Sequence, residues 1–167
     1  MTKRGQESFS MSFGSIFSIF IIAVIVAIAF YAISHFLNLN KCAQVGLFYN
    51  DLQKEIDKAW TSSIYKDNFV GNLPQSGALR SGIKEVCFGN LNSASVTEQE
   101  KFSGFTSLKN ANIFVFPPEN ACNGKSFSRV LKNAEIRGFF CIALENGKII
   151  VKLEKSPTEE LVKLSKP

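Results

Sequence analysis

At 167 residues and a net charge of +5, the chain is only mildly basic. With Lys3, Arg4 and Glu7 set aside, 17 basic residues face 13 acidic ones from Lys41 onward, scattered rather than blocked, so no nucleic-acid partner is expected. The single histidine, His35, leaves the rest of the chain without a Ser-His-Asp or Cys-His centre or the usual His-bearing zinc site, so no cofactor, metal or catalytic residue is expected.

Residues 1–11, MTKRGQESFSM, read as a basic cytoplasmic tail. Residues 12–37, SFGSIFSIFIIAVIVAIAFYAISHFL, contain no Asp, Glu, Lys or Arg. Roughly 20 apolar residues suffice for a helix to cross a bilayer, because a helix satisfies its own backbone in hydrocarbon. This stretch therefore predicts a transmembrane helix in contact with lipid. Lys3 and Arg4 immediately before it favour the N-terminus inside. A cleaved signal peptide is the competing reading, with Ala27-Ile28-Ala29 as a cleavage site, but the apolar run continues through Phe30, Tyr31 and Ile33. Within the span, Gly14 and Ser18 are four residues apart, as are Ala23 and Ala27, a spacing that lets helices approach closely. His35 and Tyr31 lie near the outer end, where amphipathic rings meet headgroups.

The start Lys3-Arg4-Gly5-Gln6-Glu7-Ser8, followed at once by a long apolar helix, resembles the class III signal of archaeal type IV pilin-like proteins. The resemblance covers only about the first 30 residues. It implies cleavage between Gly5 and Gln6, with Gln6 as the mature N-terminus. It also implies assembly with itself or other pilin-like subunits through the N-terminal helix. The family commonly carries Glu at the fifth mature position; here Ser10 stands there.

Residues 38–61 place Phe48, Leu52, Ile56 and Ala59 at three- and four-residue steps, which predicts a membrane-proximal amphipathic helix. It continues the span, with a break expected near residues 38–40 or at Gly46. Trp60 at its end is read as a core residue. The remainder, residues 62–167, reads as a β-rich extracytoplasmic domain. Strands are expected over 64–73, 83–88, 112–116 and 160–164, with a short helix within 96–108. Pro117-Pro118 stops the third strand. Residues 138–144 and 148–154 flank Asn146-Gly147, the sequence of a type I′ turn, and predict a β-hairpin.

All four cysteines, Cys42, Cys87, Cys122 and Cys141, follow the span, which fits an oxidised extracytoplasmic domain with two disulfides. Of the three connectivities, Cys42 with Cys87 and Cys122 with Cys141 is the pairing expected here. Two S-x-x-K matches, Ser63 to Lys66 and Ser81 to Lys84, carry no more than chance in a chain rich in both residues. Glu98 and Glu100 have no distinctive spacing for acid–base work.

The expected fold class is α+β: a transmembrane helix extending into an ectodomain helix packed on a small antiparallel β-sheet. The expected function is that of a non-catalytic, membrane-anchored, extracytoplasmic surface protein, pilin-like in assembly. The alternative is a monomeric anchored binding domain whose ligand the sequence does not name.

Overall fold

A computed structural model describes residues 8–74, 82–106 and 109–167 of the chain, with side chains from Gly14 onward. Two compact units result, Met1–Asn38 and Leu39–Pro167. One helix, α1 (Ser8–Thr61), contributes to both, and it is helical through Asn38 and Gly46, where a break was expected. Its residues in the first unit expose apolar side chains on every side. Its residues in the second unit bury one stripe, Val45, Phe48, Tyr49, Leu52, Ile56 and Ala59. That stripe follows the 3.6-residue period of an amphipathic helix. Burying each large member contributes about 1.5–3 kcal/mol.

The second unit adds two four-stranded sheets to this helix rather than the single sheet expected. The first is ordered β1 (Tyr65–Asn72), β7 (Lys148–Lys155), β8 (Val162–Ser165), β5 (Ala134–Ile136). The second is ordered β4 (Ser128–Arg129), β3 (Ile113–Phe116), β2 (Glu85–Phe88), β6 (Phe140–Ala143). All pairings are antiparallel except β5 with β8. The class is α+β as the sequence predicted.

Alternation sorts the faces of the first sheet. Ile149, Val151 and Leu153 of β7 are buried, and Phe69 on β1 lies 6.1 Å from Phe48 of α1 between ring centroids. Lys148, Ile150, Lys152 and Glu154 occupy the other face, opposite Asn72, Val70, Asn68 and Lys66 in register. A Cβ at Gly71 would meet the Phe48 ring at 2.6 Å, so the glycine allows the helix to sit against β1. In the second sheet, Glu85, Cys87, Phe114, Phe116 and Cys141 share one face. The segment containing α2 (Val96–Glu100) covers it, with Phe102 5.4 Å from Phe114 and 6.0 Å from Phe116. A Ser95–Glu98 capping box starts α2.

The expected hairpin is only its turn. Asn146 (φ 51°) and Gly147 (φ 73°) have the positive φ values of type I′, and Glu145 and Lys148 exchange two 2.9 Å backbone hydrogen bonds. Beyond that pair the strands part into different sheets. β8 occupies one edge of β7 at residues 152–154 and β1 the other, so β6 turns away to pair with β2.

Candidate functional site

In the first unit the candidate surface is the helix itself. It is long and apolar enough to cross a membrane by length and composition. Gly14, Ser18, Ala23 and Ala27 are all exposed. Gly14 and Ala23 are nine residues apart, which at 100° per residue sets the two small-residue pairs on opposite faces. A Cβ added at Gly14 would meet nothing within 4 Å. The Ser18 hydroxyl donates to the Gly14 carbonyl at 2.9 Å, so it is satisfied within its own helix. His35 stacks on Tyr31, with ring centroids 6.2 Å apart. Gly5 and Gln6 lie outside the described residues.

In the second unit all four cysteines are paired, but differently from expectation: Cys42 bonds Cys122 and Cys87 bonds Cys141. The correction has a topological cause. Cys87 and Cys141 are direct register partners on neighbouring strands β2 and β6. The sequence reading tied Cys141 of the hairpin to the loop after Phe116, with nothing local to mark β2 as its neighbour. Cys122, in the loop after β3, is left for Cys42 on α1. Glu85 lies within 4.8 Å of both Cys87 and Cys141, a grouping that resembles metal ligands. The two sulfurs are bonded to each other, however, and the Glu85 carboxylate accepts from Lys101 at 2.6 Å. A metal needs free thiolates.

Polar groups at the α1–sheet contacts serve packing. Tyr49 is buried and donates to the Ser126 carbonyl at 3.1 Å, beneath the Arg129 guanidinium 5.6 Å from its ring. Burial pushes its phenol well above the ordinary tyrosine range, against the lowering effect of Arg129. Near the end of α1, Glu55 accepts from Lys58 at 2.7 Å and from the Tyr65 hydroxyl. The Lys58 hydrogen bond, then that of Tyr65, holds the Glu55 carboxyl below its usual range. Trp60 corrects another expectation. It is 44% exposed rather than core, and its indole N–H donates to the Glu160 carbonyl at 3.0 Å. Among the described residues no buried side-chain nitrogen or oxygen lacks a partner.

Two surface features of this unit went unread in the sequence. An open groove of about 420 Å³ runs between α1 and β1, lined by Gln44, Leu47, Asp51, Val70 and Asn72 among others. The outer face of the first sheet carries Val70 directly opposite Ile150, 52% and 43% exposed. Leu47 lies off the apolar stripe of α1, and Val70 off the inward alternation of β1. An apolar residue out of phase with its own element is the signal that could have found them. Of the S-x-x-K matches, Lys66 faces Glu154 at 3.5 Å and Ser81 lies outside the described residues. Glu98 is held in the capping box, and Glu100 is exposed two residues further along the helix.

No protein-family model, curated protein or solved structure matches the chain.

Proposed function

We propose that the protein is a non-catalytic, membrane-anchored surface protein. Its disulfide-linked domain stands outside the cytoplasm, and its N-terminal helix associates laterally with other copies or with pilin-like subunits. The observation that carries this reading is the first-unit helix, apolar on every side and unburied by the chain's own residues. Such a surface needs lipid or other helices to cover it. Two further features support it: the class III-like start at Gly5-Gln6, and two disulfides that suit an oxidising compartment. Small-residue pairs on opposite faces give one helix two neighbours, the geometry of a continuing array rather than a closed pair.

The N-terminal peptide mass of native protein tests the pilin-type version. A mature chain beginning at Gln6 is expected, and a chain beginning at Met1 or Thr2 overturns it. The groove between α1 and β1 favours a second reading, a monomeric anchored binding domain. Antibody-labelled filaments on native cells, seen by electron microscopy, would reject that reading.

A further inference from the structure

Two faces of the second unit point away from its core and differ in sign. On the outer face of the first sheet, the exposed Val70–Ile150 pair is flanked in register by Lys148 on one side and Lys152 on the other, with Lys66 one pair further on; Lys152 and Lys66 share Glu154, at 3.0 and 3.5 Å. On α2, which covers the second sheet, Val96 is 72% exposed and shares its helix face with exposed Glu100 four residues on. Neither Lys148 nor Glu100 is ion-paired among the described residues. Each face therefore offers an apolar centre beside an uncompensated charge, and the two charges are opposite.

We propose that these faces dock on each other between copies, the Val70–Ile150 face of one chain receiving the Val96–Glu100 face of the next. Charge complementarity selects a second copy as the occupant: Lys148, on a face with three lysines to one glutamate, meets Glu100 while the aliphatic side chains leave water. The two patches differ, so the contact is head-to-tail and leaves one free patch at each end. It continues the chain of copies that the helix starts, and it rests on the assembly reading above.

The experiment uses full-length protein reconstituted in liposomes, half of it ¹⁵N-labelled, with zero-length carbodiimide cross-linking and peptide mass spectrometry. Mixed-isotope cross-links joining Lys148 to Glu100 are expected. Cross-links confined to single chains overturn the contact. In a second arm, energy transfer between fluorophores on separate copies reads association. Lys148→Glu and Glu100→Lys alone each weaken it about fivefold, and the two together restore it to within about twofold. Single variants without effect, or a double variant weaker than either, overturn the proposal. Thermal unfolding of each variant checks that folding is unchanged. A Gly14→Ile/Ala27→Ile chain separates the two ideas. If it loses energy transfer while charge reversal changes nothing, the head-to-tail contact fails and helix association stands. If the wild type shows no transfer at all, both fail.

Discussion

The two parts of α1 are one continuous helix built for two solvents. From Gly14 to Phe36 it is apolar all round and exposed at every residue. From Val45 to Ala59 it is apolar on one stripe, and that stripe is the spine of a folded domain. A helix stabilises its own backbone in either setting, so what differs is where the side chains find a medium that excludes water. The second part finds it in its own sheets; the first finds none within the chain and is long and apolar enough to cross a membrane.

The comparison breaks most sharply by truncation. Ile56→Ala removes a fully buried side chain and should cost about 2–5 kcal/mol of unfolding free energy. Ile25→Ala, on the other part, should change it by less than about 0.5 kcal/mol. Urea unfolding of the full chain in detergent, followed through Trp60, the only tryptophan, measures both. Equal effects at the two positions would sink the division. Next in size, Cys42→Ser with Cys122→Ser unties the second part of the helix from the loop after β3. A loss of about 2–4 kcal/mol is expected in the same assay.

Gly14→Ile with Ala27→Ile should reverse the pattern, leaving the unfolding midpoint unchanged while association between copies falls. The smallest effect is electrostatic. Glu55 is held below its usual range, so the stability it contributes is present above about pH 4.5 and fades as the pH falls through its folded value. In Glu55→Gln the acid-induced loss should be smaller than in wild type. Superimposable acid profiles would remove Glu55 from the account.

Sequence reading reached as far as local periodicity does. The charge-free run at 12–37, the Phe48–Leu52–Ile56–Ala59 stripe and the Asn146-Gly147 turn are each written within a few residues, and each appears. What was missed depends on distant partners. A type I′ turn specifies the four residues that close it, not how far the strands stay paired. β8, encoded after the turn, takes the edge of β7 that β6 would have needed. The disulfide pairing also depends on a distant partner, since only the fold makes β2 and β6 neighbours. β4 and β5, of two and three residues, are too short to show a period, and they exist because β3 and β8 offer them edges. The core expectation for Trp60, at the end of the amphipathic helix, fails because the buried stripe ends at Ala59; its indole N–H donates to the Glu160 backbone carbonyl instead.

The two disulfides interlock along the chain, first cysteine to third and second to fourth. During synthesis from the N-terminus, Cys42 and Cys87 both emerge before either correct partner exists. The bond available earliest is therefore a wrong one, between Cys42 and Cys87. Nothing native can be locked until Cys122 has emerged, 80 residues after Cys42. Maturation of this domain is thus a matter of timing: an oxidant acting on the emerging chain traps it, and one acting after release, or a partner that reshuffles sulfurs, completes it. The yield of correctly bonded protein should depend on which of these the chain meets first.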